Sequence, residues 1–185
     1  MRIAFSGSHR VGKSTLVASV AEALPRYATV DEPYSLLEEE GYQCSETPSV
    51  EDFEAQLERS LAALEEGQQD VLFDRCPADV LAYLLAHEDA GAFEADEWLE
   101  RVRQAMQTLD LVVFVPVEDP DRIPVPPHED VELRLAVHEK LSELLAGDAL
   151  GFDAEVLTVQ GDVAVRVKQV MAWIQDRAAP ARGAP

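Results

Sequence analysis

The chain has 185 residues, and its 15 Lys and Arg stand against 36 Asp and Glu, giving a net charge of −21 with 47% hydrophobic residues. That length and apolar content suit one compact domain with a real core, placed at residues 1–177. A surface of this sign repels polyphosphate and anionic lipid, which argues against long nucleic acid or a membrane surface as partner.

No run approaches ~18 consecutive apolar residues, so no membrane-crossing helix is expected. The opening MRIAFSGSHR carries no signal-peptide core, which points to a cytoplasmic protein. Cys44 and Cys76 are 32 apart and follow no metal-ligand spacing, so both are expected as free thiols. His9, His87, His128 and His138 match no zinc motif either. Composition is silent on oligomeric state.

Taken in chain order, strands and helices alternate. Arg2–Ser6 is a short apolar strand ending at Gly7, and Lys13–Leu24 reads as a helix stopped by Pro25. Tyr27–Val30 is the second strand, ending at Asp31-Glu32-Pro33. Val50–Glu66 places Phe53, Leu57, Leu61 and Leu64 on one helical face, with Gly67 as its stop. Val71–Phe73 is the third strand and runs into Asp74-Arg75. Ala78–His87 and Phe93–Thr108 read as helices, and the β-branched run Leu111–Val115 as a central strand. Pro116–Pro127 holds five prolines and is neither helix nor central strand. Val131–Ala146, the strand Glu155–Val159 and the helix Val163–Gln175 follow, and residues 178–185 are expected as a disordered tail. Five apolar strands separated by helices predict an α/β fold, a five-stranded parallel sheet with helices on both faces. Ligands bind at the carboxyl ends of such strands, where Gly7, Glu32 and Asp74 fall.

Gly7-Ser8-His9-Arg10-Val11-Gly12-Lys13-Ser14 matches GxxxxGK[ST] between a strand and a helix, with Thr15 next. The glycines let the loop fold back so that successive N–H groups face phosphate oxygens, above the positive end of a helix. Lys13 then bridges the β- and γ-phosphates, and the Ser14 hydroxyl ligates Mg²⁺. Gly7 to Thr15 are therefore the nucleotide-binding residues, with ATP and Mg²⁺ as cofactors. Asp74, at the adjacent strand end, is the second metal-binding residue. Glu32 is placed as general base for an acceptor hydroxyl, and Arg75 as its partner or a substrate clamp. Arg134, one turn into the helix after the proline-rich segment, is placed on a lid (about residues 116–134) as a cation neutralising the transferring phosphoryl group. No Asn/Thr-Lys-x-Asp element accompanies Lys140 or Lys168, which argues against a guanine reader. Arg75 stands where mechanical ATPases carry a water-polarising Glu.

GSHRVGKSTL, then VDEP, then LFDRCPADVLAYL resemble the P-loop nucleoside and nucleotide kinases. The nearest likeness is to the small ATPase family that includes ribosylnicotinamide kinase domains. That family joins a Gly-x-His-x-x-Gly-Lys-Ser/Thr loop to an Asp-Arg-x-x-x-Asp-x-x-Ala-Tyr segment, matched by Asp74, Arg75, Asp79, Ala82 and Tyr83. A more distant likeness is to deoxynucleoside and thymidylate kinases, from which Asp31 and Cys76 depart. The resemblance implies a three-layer P-loop NTPase fold, an adenine site near Gly161-Asp162, and γ-phosphoryl transfer from ATP to a nucleoside-like or other small hydroxyl acceptor. A nucleotide kinase with a phosphate acceptor, or an ATP-binding regulatory ATPase with a protein partner, are the alternatives.

Lys13→Ala removes the β/γ-phosphate contact without touching the core, so calorimetric titration should show ATP affinity falling at least tenfold with the circular dichroism spectrum unchanged.

Overall fold

The computed structural model describes residues 1–45, 47–124, 126 and 130–178. Its strands are β1 (Arg2–Ser6), β2 (Ala28–Val30), β3 (Val71–Asp74), β4 (Leu111–Phe114) and β5 (Val156–Thr158). They form one parallel sheet in the order β2-β3-β1-β4-β5. The strand that feeds the phosphate loop is therefore central, and the register pairs Phe5 with Asp74 and Ser6 with Phe114. Asp74 thus arrives beside the loop because β3 is the immediate neighbour of β1.

Alternation along the strands sends side chains to two separate cores. Ile3, Phe5, Leu72, Leu111 and Val113 face α1 (Lys13–Ala23) and α7 (Val163–Ala178). Ala4, Val71, Phe73, Val112 and Phe114 face the other layer. That layer comprises α3 (Val50–Glu65), α4 (Pro77–Ala86), α5 (Ala95–Met106) and α6 (Val131–Leu141). The expected three-layer arrangement is the one observed. At the amino ends of the strands, the buried Arg2 guanidinium donates to the Leu64 and Thr108 carbonyls and its backbone N–H to Asp110.

Several boundaries differ from the sequence reading. A short helix not anticipated there, α2 (Pro33–Glu39), follows Glu32 directly, with Pro33 in its first turn. Proline lacks the N–H that a first helical position leaves unused, so it starts this helix rather than prolonging a loop. The expected helix Val131–Ala146 ends at Leu141 and continues as a π-helical turn, Ser142–Ala146. The last helix runs to Ala178, and the expected tail beyond it lies outside the described residues. Both thiols are free, and Cys76 is buried at the start of α4. No helix among the described residues is long and apolar enough to cross a membrane.

Gly7 is where the sheet admits the loop. Its φ is +152°, and a Cβ there would stand 2.4 Å from the Val115 carbonyl oxygen, a backbone atom that cannot swing away. Gly7→Ala should therefore lower the unfolding free energy by about 3 kcal/mol, read from the urea midpoint at unchanged m-value.

Candidate active site

The phosphate loop hangs between β1 and α1, and its polar backbone is held from behind. The Gly7 N–H donates to Asp79 Oδ1 at 2.9 Å. The His9 and Arg10 carbonyls accept from Arg134 Nε and Nη2 at 3.0 and 3.3 Å, and the Val11 carbonyl from Arg166 Nη1 at 2.6 Å. C=O and N–H point opposite ways across a trans peptide, so the three following amides, Arg10 to Gly12, are turned away from these arginines. Each arginine is anchored by an acid of the segment after β4: Arg134 pairs with Asp121 at 2.7 Å and Arg166 with Glu118 at 2.7 Å.

This placement revises the reading of Arg134. The residue is 2% exposed, and its guanidinium is spent on loop carbonyls and Asp121. It braces the loop from outside and does not stand over the phosphate cavity. The cause is Asp121, in the proline-rich segment after β4, whose carboxylate meets α6 and pairs with this guanidinium. His138, one turn further on, stacks against Phe114 with ring centroids 5.9 Å apart and lies in the core layer.

Lys13 points into the loop and donates to the Ser8 carbonyl at 2.8 Å. Burial and then the neighbouring Arg75 charge push its ammonium down to about 7, against the opposing pull of Asp79, Asp74 and Glu32. Asp74 is buried beside it, with the Ser14 hydroxyl against its carboxylate and Oδ1 without a hydrogen-bond partner among the described residues. Burial raises the Asp74 carboxyl, while Ser14 and the Lys13 charge draw it back. An orphaned carboxylate oxygen next to a hydroxyl is a hard-oxygen pair, the donor type that Mg²⁺ takes along with phosphate oxygens and water.

Arg75 follows Asp74 with φ +81°, an uncommon conformation for a residue with a side chain. The turn sends its guanidinium across the sheet edge, where Nε donates to Glu32 Oε2 at 2.9 Å and Nη1 to the Gly7 carbonyl at 3.3 Å. Asp79 lies 3.6 Å from the same nitrogen. Burial alone would raise the Glu32 carboxyl, but the charge and hydrogen bond of Arg75, with Lys13 behind, hold it below the usual range.

Two cavities meet here. One, of about 490 Å³, is walled by Arg10, Gly12, Lys13, Ser14, Thr15 and Ile123. The other, of about 590 Å³, is walled by Tyr34, Phe53, Gln56, Val80, Tyr83 and Leu133. His9, Glu32 and Arg75 line both. A smaller cavity of about 320 Å³ beyond Gly12 and Thr15 is lined by Ile123, Gly161, Asp162 and Arg166, the neighbourhood expected for adenine. Gly7, Ser8 and Val11 line neither of the two joined cavities; Val11 is buried against the α1–α7 core and Ser8 is fully buried.

Residues that the sequence reading did not assign to the site are Asp79, Tyr83, Phe53, Gln56, Glu118 and Arg166. Asp79 and Tyr83 are four residues apart on α4, which places them on one helical face just after Arg75, and that spacing was available as a signal. Gln56 is a buried residue of α3 that lines the second cavity. Nothing local distinguishes Arg166 from a surface arginine of an amphipathic helix.

A central parallel strand, a GxxxxGK[ST] loop capping a helix, and a carboxylate on the next strand define a P-loop nucleotide-binding fold of the kinase type. The chain belongs to the AAA domain family, whose sequence profile matches residues 2–166. No curated protein matches it significantly in sequence. Among solved structures it is similar to deoxyadenosine kinase from M. mycoides with dCMP and a flexible dCDP bound (TM-score 0.68, 18% identity, covering 95% of this chain and 100% of that one). It is also similar to the NadR protein in complex with NAD and AMP-PNP (TM-score 0.65, 17% identity, 99% of this chain and 51% of that one). Thymidylate kinase from Candida albicans is a third (TM-score 0.62, 16% identity, 95% and 91%). At these identities the likeness is one of fold.

The Lys13 ammonium carries a linkage. With its value near 7 in the free protein, it is largely neutral at alkaline pH and must take up a proton when an anionic phosphate arrives, so ATP affinity falls as pH rises above that value. Calorimetry in buffers of different ionisation enthalpy should find roughly one proton taken up per MgATP at about pH 8.5, an uptake that Lys13→Met abolishes.

Proposed function

We propose that the protein is a phosphotransferase that passes the γ-phosphoryl group of MgATP to a hydroxyl of a small, nucleoside-like acceptor. The observation that carries this reading is the shared wall: one carboxylate, Glu32, lines both the phosphate cavity and the roomier cavity beside it. A carboxylate at that boundary can accept a hydrogen bond from an incoming hydroxyl and take its proton as the bond to phosphorus forms. Being held ionised by Arg75, it is ready to accept at neutral pH. Lys13 and the loop amides bind the β- and γ-phosphates, and Ser14 with Asp74 would hold Mg²⁺. The metal, when bound, neutralises charge on the transferring phosphoryl group.

The second cavity favours a neutral acceptor carrying a flat ring. Phe53 and Tyr83 form one wall, their rings near parallel at 17° with centroids 5.4 Å apart. The Gln56 amide on the same lining offers N–H donors and a carbonyl acceptor in one plane. Arg75 is already committed to Glu32, Asp79 and the Gly7 carbonyl, which weighs against a phosphate-bearing acceptor. The residue after Asp74 is this arginine, so the water-polarising carboxylate of a dedicated ATPase has no counterpart at that position.

A screen for ADP release above the water background across nucleosides, nucleoside monophosphates and small polyols identifies the acceptor. With it, Glu32→Gln should lower kcat by ~10²–10⁴ while MgATP affinity changes less than about threefold. A preserved kcat would move the acceptor from hydroxyl to phosphate. ATP bound by the wild type with no acceptor phosphorylated would favour the regulatory ATPase.

A further inference from the structure

The Ser8–His9 peptide is oriented differently from the three that follow it. Its carbonyl accepts from Lys13 Nζ at 2.8 Å, whereas its N–H donates to the Tyr83 hydroxyl at 3.1 Å. One peptide plane therefore joins the lysine of the phosphate cavity to a tyrosine of the acceptor cavity. The same hydroxyl lies 3.0 Å from His9 Nδ1. Having accepted from the backbone, it has one proton to give, and the imidazole nitrogen is positioned to take it. Two contacts from one oxygen fix both the backbone and the ring of His9.

Tyr83 itself has little freedom. The Arg75 guanidinium covers its ring at 5.4 Å, and Phe53 stacks on it. Its ring is a wall of the acceptor cavity, yet its oxygen belongs to the phosphate loop. From this geometry we infer that Tyr83 is a positioning residue for phosphoryl transfer: through the Ser8–His9 peptide it sets where Lys13 stands.

The inference rests on the proposed phosphotransferase reading for its purpose, but its test needs no acceptor. Tyr83→Phe keeps the ring and its stacking and removes only the hydroxyl. With MgAMP-PNP as the probe, calorimetry should show the Kd of Tyr83→Phe raised about five- to twentyfold, the effect of leaving the part-buried His9 N–H without its acceptor. A purely structural role would add the same factor in any background. If Tyr83 acts through Lys13, the change should cost less than twofold when made in Lys13→Ala, so the two substitutions are strongly non-additive. Melting temperatures within about 2 °C of the parent in both backgrounds would separate positioning from folding. An unaltered or tightened Kd in Tyr83→Phe, or equal factors in the two backgrounds, overturns the inference. Failure of the acceptor screen would overturn the phosphotransferase reading and leave this cycle intact.

Discussion

A loop that presents N–H groups to a phosphate must dispose of its carbonyls elsewhere, and in this protein the groups behind the loop govern the rest of the site. Asp79, fully buried, gives one oxygen to the Gly7 N–H and the other to the Cys76 N–H and thiol. It thereby ties the start of the loop to the start of α4. Arg134 and Arg166 take the carbonyls of residues 9 to 11 from two other helices. An unsatisfied buried donor or acceptor costs about 1–3 kcal/mol, so a loop with this many exposed dipoles keeps its shape only when each has a partner.

The same requirement explains why so acidic a protein concentrates buried cations at one place. Lys13, Arg134 and Arg166 are all below a tenth exposed and all touch loop carbonyls. Buried charges are tolerated when paired, and the pairs here are internal: Asp121 for Arg134, Glu118 for Arg166, Glu32 and Asp79 for Arg75. The segment between β4 and α6 supplies two of those acids. Glu118, Asp121 and Ile123, within residues 116–124 of it, lie along the outside of the loop, with Ile123 packed over Gly12. The loop carbonyls thus have partners before any ligand arrives, the kind of pre-positioning the proposed phosphoryl transfer would draw on, since that chemistry depends on position more than on covalent help.

Lys13, Ser14, Glu32 and Asp74 were legible as a group because each carries a local signature, a spaced glycine loop or an acid at the end of an apolar run, and Arg75 directly follows one of those acids. Parallel topology then forces strand ends to one edge, so these residues had to meet. Arg134 was legible as a cation near the site, but its direction was not, since that depends on where Asp121, in a proline-rich segment with no periodicity, meets α6. Gln56 and Phe53 lie on a helix whose pattern shows only that one face is buried, and the pattern holds nothing about which buried residues border a cavity.

The chain by itself determined its class: alternating apolar strands and helices, a GxxxxGK[ST] loop between the first pair, and acids at the ends of the second and third strands. These are short-range properties, set by periodicity and by the steric needs of glycine and proline. Only the tertiary structure decided that β3 lies directly beside β1, that Glu32 and Arg75 stand on a wall common to two cavities, and that Tyr83 and the two arginines hold the loop from behind. Those contacts join residues 43 to 155 apart in sequence, and a pairing over such distances is set by packing, for which no local pattern of residues is a proxy.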